Sequence, residues 1–475
     1  MKKRLIYIGL LTGLLVATGC KKYLETLPDN RTVISNPQQV SQLLATAYPH
    51  ALYMLFCEAL SDNVEDKGNS GVGVDPQTFR INTQSFKYQD ADDVTSDAPI
   101  AYWDSCYAAI AAANQALSYC NGPDSANYST QKGEALVCRA YAHFMLVTLF
   151  AKTYNPATAA SDPGIPYVTT VSKNVFAKYD RSNVAAVYAK IESDLTTGLP
   201  LLKDEAYGNT PKYHFTVQAA HAFASRFYLF KKDYEKVVTH SSAVFGSKDP
   251  ATLIRNQIKF YGLPYNDMVV EYFNSQNAAN ILLQEAPGTK YPANYYGYRY
   301  GLGSNVNRAL ILNSNVTGGS LAIQTYGSGP QYFNFPKFKS DVKVVALFSM
   351  DEVLMNRAEA YIRLKNYNSA LTDLNAWVSN NISDYDPAVD NVTIPKMMAF
   401  YNTTQDDAMI QSLLYMKRVT YMQEGLRWFD ILRYDIPVVH VGSPGFNTTL
   451  VPGDKRRLLQ LPAEAVNDGM QLNPR

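Results

Sequence analysis

Two acidic clusters, Asp62/Glu65/Asp66 and Asp92/Asp93/Asp97, hold the first side chains of the types that bond-breaking chemistry needs. A glycoside hydrolase works with two carboxyl groups flanking the scissile bond, one as acid and one as base or nucleophile. Both clusters fall in a stretch rich in Gly, Asn and Asp, from Ser61 to about Pro99, where solvated loop carboxylates are the expected reading. Other catalytic patterns are missing from the sequence. There is no Gly-x-Ser-x-Gly elbow, and His50, His143, His214, His221, His240 and His440 form no HExxH pair. The glycines of "GVGVDP" and "GYRYGLGS" lack the strand before and the helix after that a phosphate cradle needs. No CxxC and no Cys/His set at ligand spacing marks a metal site.

Binding chemistry is better represented. A sugar ring has an apolar face of C–H groups and a rim of hydroxyls, so it calls for aromatic platforms beside amide, carboxylate or guanidinium groups. Tyr291, Asn294, Tyr295, Tyr296, Tyr298 and Arg299 supply that mixture on one irregular stretch, with Tyr300 after them. The competing reading is that these tyrosines pack the stretch onto a scaffold. Composition leaves both uses open: 35 Tyr against 3 Trp, with 18% charged residues. A net charge of +1 gives no field for gathering nucleic acid, so none is expected as a partner.

The elements that must position these residues are mostly helical. Ala101 to Tyr119 and Gln131 to about Lys152 read as helices separated by Asn121-Gly122-Pro123. Pro37 to Leu60 reads as another helical stretch, and Ala408 to Tyr434 as one long helix before a coil tail from Val451. In "VQAAHAFASRFYLFKKDYEKVVTHSSAVF", Ala220, Ala224 and Tyr228 precede a Lys-Lys-Asp turn, and Tyr234, Val237, Ser241 and Val244 follow it. In "LMNRAEAYIRLKNYNSALTDLNAWV", Leu354, Ala358 and Tyr361 precede a Lys-Asn turn, and Tyr367, Ala370, Leu374 and Trp377 follow. Both match the tetratricopeptide pattern, in which small residues let two antiparallel helices approach closely. The predicted fold is therefore mostly α: a tetratricopeptide-like helical-hairpin scaffold with large irregular insertions. The chief insertion is residues 249–340, dense in Gly, Pro and aromatics.

Cysteines and buried aromatics add constraints. Cys106 and Cys120 on one helix lie about 21 Å apart, too far for a disulfide. With Cys57 and Cys138 they are expected as buried free thiols. His143 is expected as a satisfied core histidine, and Trp103, Trp377 and Trp428 as core.

At the N-terminus, Lys2, Lys3 and Arg4 precede an apolar run from about Leu5 to Ala17. Thirteen or so residues reach roughly 20 Å, short of the ~30 Å hydrocarbon core, so this reads as an export signal and not a span. Ala17-Thr18-Gly19-Cys20 resembles a bacterial lipobox, apart from Ala17 where Leu is usual. That resemblance makes residues 1–19 a signal peptide and Cys20 the acylated first residue of the mature chain.

The fragments "KKYLETLPDN", "YWDSCYAAIAAANQAL", "KGEALVCRAYAHFMLVTLF", "KRVTYMQEGLRWFDILRY" and "LLQLPAEAVNDGMQLNPR", in that order, resemble the SusD/RagB family of surface nutrient-binding lipoproteins. Lys417 and Thr420 depart from it, since the family usually carries Glu there, while Arg418, Glu424, Arg427, Asp430 and Arg433 are kept. On a helix the last four would be neighbours at i,i+3, a structural run and not a catalytic one. The resemblance implies a single SusD-like domain over 20–475, with an N-terminal part to about 215 and a C-terminal part from 216, and no cofactor. It also implies that loops between the first helices approach the ligand, which adds Asp62 and Arg80 of the loop from Ser61 to Asp97 to the candidate set. It further implies a non-catalytic protein on the outer membrane that captures oligosaccharide and passes it to a SusC-like TonB-dependent transporter. Oligopeptide capture, a lipid-anchored glycanase and a pure protein-interaction scaffold are the rival readings.

Overall fold

In this computed structural model the described residues are 34–68, 76–121, 125–171, 179–285, 297–323, 326–327, 333–334, 337, 344–443, 445–467 and 469–475. Cys20 and the signal segment lie outside them, as do Tyr291, Asn294, Tyr295 and Tyr296.

The first half contains α1 (Pro37–Leu44), α2 (Met54–Leu60), β1 (Glu65–Asp66), α3 (Pro76–Phe86), α4 (Pro99–Tyr119), α5 (Ser129–Phe150), α6 (Val184–Gly198), α7 (Val217–Lys231) and α8 (Tyr234–Phe245). The second half contains α9 (Gln257–Phe260), α10 (Tyr265–Tyr272), β2 (Asn280–Glu285), β3 (Tyr300–Gly301), α11 (Ser304–Asn307), β4 (Tyr326–Gly327), β5 (Phe333–Asn334) and β6 (Val344–Ser349). It continues with α12 (Met350–Arg363), α13 (Tyr367–Asn381), α14 (Ile394–Tyr401), α15 (Gln405–Thr420), α16 (Leu426–Tyr434), β7 (Val438–Gly442), β8 (Phe446–Leu450) and α17 (Ala463–Asn467). Among the described residues the strands pair in antiparallel twos: β1 with β3, β2 with β6, β4 with β5, β7 with β8. The fold is thus the mostly helical one that the periodicity predicts.

Both tetratricopeptide-like hairpins form as expected, α7/α8 and α12/α13. Thr216 caps α7 by accepting from the Ala219 N–H, and Lys232 ends it in the left-handed region at φ 64°. Although far apart in sequence, the hairpins meet where α8 packs on α12. Buried hydroxyls mark that seam: Ser241 Oγ donates to Ser225 Oγ at 2.9 Å, and Asn356 Nδ2 to the same oxygen at 3.2 Å. One continuous apolar cluster runs from Val40 to Ala465 and takes in Trp103, Trp377 and Trp428. Helix α5 is apolar and long enough to cross a membrane, but it is wholly buried among its neighbours. Cys57, Cys106, Cys120 and Cys138 are free and buried, as expected. His143 is a satisfied core histidine: Nδ1 lies 2.8 Å from the Arg139 carbonyl, and Nε2 accepts the Val168 N–H at 3.0 Å.

Several elements differ from the sequence reading. The stretch 37–60 is two short helices, with Pro49 in the break. The polar stretch 61–99 contains α3, and the insertion contains α9, α10 and β2. The long helix expected over 408–434 is broken in two at Gly425, whose φ is +73°. A Cβ there would also lie 3.0 Å from the Met54 Cα and the Cys57 Cβ, so only glycine fits. The break separates Glu424 from Arg427, and Arg427, although on one helix with Asp430, turns to Asp62 instead. Glu424 meets Lys337 at 2.7 Å and Arg427 meets Asp62 at 2.8 Å, leaving Asp430/Arg433 at 3.5 Å.

Helices α5 and α6 touch backbone to backbone. A Cβ on Gly133 would fall 2.8 Å from the Gly198 carbonyl oxygen, and one on Gly198 would fall 2.8 Å from the Gly133 carbonyl oxygen. Neither carbonyl can step aside without moving its helix. Gly133→Ala is therefore expected to cost about 1–3 kcal/mol through overpacking, read as a lower urea midpoint with unchanged slope.

Candidate functional site

A strap of chain from Ser61 to Gly68, carrying β1, is held against β3, the end of α3 and the β7/β8 hairpin. Three of its side chains are the first acidic cluster, and each is already engaged. Asp62 accepts Arg427 Nε and Nη2 at 2.8 and 2.9 Å, and Arg418 Nη1 lies 3.6 Å away. Burial pushes Asp62 up, but Arg427 and Arg418 outweigh it and hold the carboxyl at about 2. Glu65 accepts the Asn305 N–H at 2.8 Å and Asn305 Nδ2 at 2.6 Å, at the start of α11. Asp66 accepts Arg299 Nε and Nη2, both at 2.7 Å, and the Ser443 N–H at 2.9 Å. In the second cluster, Asp92 takes Arg80 and Gln84, Asp93 takes the Thr95 N–H at 2.8 Å, and Asp97 is buried. These contacts make both clusters structural: their carboxylates fasten loops.

Of the sequence-derived binding residues within the described part, Arg299 and Asp62 both come to the strap. Arg299 stays a quarter exposed and lies 5.2 Å over the Tyr300 ring. Arg80 instead stands outside on α3, more than half exposed. Tyr298 is not presented to solvent at all: it is 0% exposed within the apolar core, so its ring packs the insertion onto the scaffold.

The insertion also forms a groove of about 710 Å³ that no aromatic cluster signals. Asn256, Lys259, Glu271, Gln276, Asn277 and Asn380 line it beside Phe260. Amides with two cations, Lys259 and the buried Arg255, and one anion, Glu271, beside an apolar floor suit a hydroxyl-bearing ligand. The clue in the sequence is the amide density of 256–257 and 274–277, which reads equally as ordinary loop polarity.

The family-model comparison matches residues 22–229 to SusD-like_3, described as "Starch-binding associating with outer membrane". The matched segment, residues 22–229, is thus SusD-like. Among solved structures, a SusD superfamily protein from Bacteroides thetaiotaomicron superposes with TM-score 0.69 at 18% identity, covering 93% of this chain and 100% of that one. A SusD-like carbohydrate binding protein from Bacteroides vulgatus gives 0.67 at 16% identity, covering 92% and 97%. A laminarin binding SusD-like protein gives 0.59 at 16% identity, covering 93% and 100%. No curated protein matches the sequence. At these identities the superpositions establish the fold.

The carboxylates that fasten this SusD-like frame give it an acid limit. Asp62 and Glu359 are both held at about 2, from 3.8 and 4.5 respectively. Groups with depressed folded values stabilise above their unfolded values, and that contribution disappears as pH falls through the folded ones. The urea midpoint is thus expected to fall as pH drops from about 4.5 to 2. Asp62→Asn is expected to lower the midpoint at pH 7 and to flatten part of that fall.

Proposed function

We propose that this chain is a non-catalytic surface lipoprotein that captures oligosaccharide and hands it to a SusC-like TonB-dependent transporter. The observation that carries the reading is the likeness along almost the whole chain to SusD-like proteins, one of them a carbohydrate binding protein and one laminarin binding. The family model's description, starch binding in association with the outer membrane, points the same way. Engagement of both acidic clusters argues against a glycanase, since neither offers a free acid and base facing a common space. Arg299, the tyrosines at 291, 295 and 296, Asn294 and the amide-lined groove are the proposed contacts.

Export would end with cleavage before Cys20 and acylation of its thiol, leaving residues 20–475 as one tethered domain. A tether holds captor and channel together, so handover becomes effectively intramolecular. Two or more acyl chains are needed for stable anchoring, since one alone binds a membrane only marginally.

Calorimetry on the soluble form lacking residues 1–20, with laminarin oligosaccharides, starch oligosaccharides and a peptide panel, tests the capture step. Binding to a glycan series, with the glycan recovered intact, is expected. Binding confined to peptides, or shortened glycan products, would overturn it. Fatty-acid labelling of the full-length chain tests the anchor, and label retained by Cys20→Ala would refute it.

A further inference from the structure

His440, on β7, is 1% exposed and sits inside a column of parallel rings. Phe86 stacks on one face at 4.2 Å and 3°, and Tyr88 on the other at 5.0 Å and 5°. Tyr300 extends the column beyond Phe86 at 4.0 Å and 15°. The ring edge is equally specific. Nδ1 lies 2.8 Å from the Phe86 carbonyl oxygen, and Nε2 lies 2.9 Å from the Ser61 carbonyl oxygen.

A carbonyl oxygen can only accept, so each ring nitrogen must donate if both contacts are to be hydrogen bonds. A neutral imidazole has one N–H, and an imidazolium has two. With a neutral ring, one contact would set a lone pair against a carbonyl at under 3 Å in a buried place. Aromatic faces above and below also favour a cation, through the ring quadrupole. The geometry points to His440 as a proton-operated clamp: when protonated it ties the Ser61 strap to β7 and to the end of α3, and on losing the proton it must release one of them. This stands whether or not the chain binds glycans.

A neutral alternative is built in. The Tyr88 hydroxyl donates to the Leu60 carbonyl at 2.9 Å and lies 3.5 Å from His440 Nε2. When the ring is neutral, that hydroxyl can swing to donate to Nε2, freeing the carbonyls of Leu60 and Ser61. The strap from Ser61 to Asp66 then loses its nearest fastening to β7.

The charged surroundings can be followed element by element. On the strap, Asp62 lies near enough to favour the cation, but it is committed to Arg427 and Arg418. Beyond Tyr88, Arg456 lies 5.8 Å over its ring and is paired with Asp454 at 2.7 Å, and Arg457 also acts on the Tyr88 hydroxyl. Beyond Tyr300, Arg299 is paired with Asp66. After α3, Lys87 lies over Phe446 on β8 at 5.6 Å. Burial lowers the imidazole's pKa, and the Ser61 and Phe86 carbonyls only partly restore it. Proton loss therefore falls on the acid side of the ordinary histidine value. Between the two folded arrangements, the closed one holds the proton more tightly, so acidification closes the clamp and rising pH opens it.

The test is NMR of the folded chain labelled with ¹⁵N-histidine, combined with hydrogen exchange over residues 60–68, from about pH 4 to 8. His440→Gln assigns the signal. At the acid end both His440 nitrogens should show imidazolium shifts. Above the transition one should become a lone-pair nitrogen, and exchange in 60–68, corrected for its intrinsic pH dependence, should quicken about threefold or more. Tyr88→Phe removes the alternative donor, destabilises the neutral form and should move the midpoint to higher pH. A single neutral tautomer throughout, or exchange in 60–68 that ignores pH, would overturn the clamp. An unmoved midpoint in Tyr88→Phe would overturn the hydroxyl exchange.

Discussion

The structure depends on buried charges that have no water to fall back on. Glu359, on α12, is 1% exposed and takes Arg433 Nη2 at 2.6 and 2.7 Å and the Tyr434 hydroxyl at 2.7 Å. Lys417 lies 3.5 Å from the same carboxyl and 2.5 Å from Asp430. These two anions and two cations close as a neutral set across α12, α15 and α16. Taking a charge out of water is costly, and a buried ion left alone by loss of its partner costs more than the pair gained. The cluster therefore adds little net stability, but it fixes which face of α15 and α16 meets α12. Arg226–Glu352 and Arg255–Asp351 impose the same condition where α7 and the insertion meet α12.

That neutrality explains the departure at 417. A glutamate at 417 would add a third anion to a set with one remaining cation. Lysine restores the balance. Thr420 serves a different need: its hydroxyl accepts Trp377 Nε1 at 2.9 Å and donates to the Met416 carbonyl at 2.8 Å. The indole N–H is thereby satisfied inside the core, as a buried Trp requires.

Helix-face spacing made the hairpins legible, because Ala220, Tyr228, Ala358 and Tyr361 repeat with the period of the surface they bury. The break at Gly425 was not legible. Glu424 and Arg427 keep an i,i+3 spacing that suits an unbroken helix, and only the closeness of α2 to Gly425 reveals the turn. The site was half visible for a related reason. Arg299 and Asp62 could be singled out by type, but their partners Asp66 and Arg427 lie 233 and 365 positions away. Local pattern carries no information about such pairs. Tyr298 shows the limit of composition: one residue from Arg299, it faces the core while Arg299 faces out, the alternation of an extended chain.

The strap at 61–68 joins these two scales. Asp62 binds it to Arg427, and so to the helix that carries Asp430 and Arg433. Asp66 binds it to Arg299 and the Ser443 N–H, at the exposed rim. A shift of α16 relative to α12 would be carried to the rim through Asp62, while the rim itself hangs on single, partly solvated pairs that solvent and salt weaken. Charge pairing thus passes from fully buried at the closed set to partly exposed at Arg299.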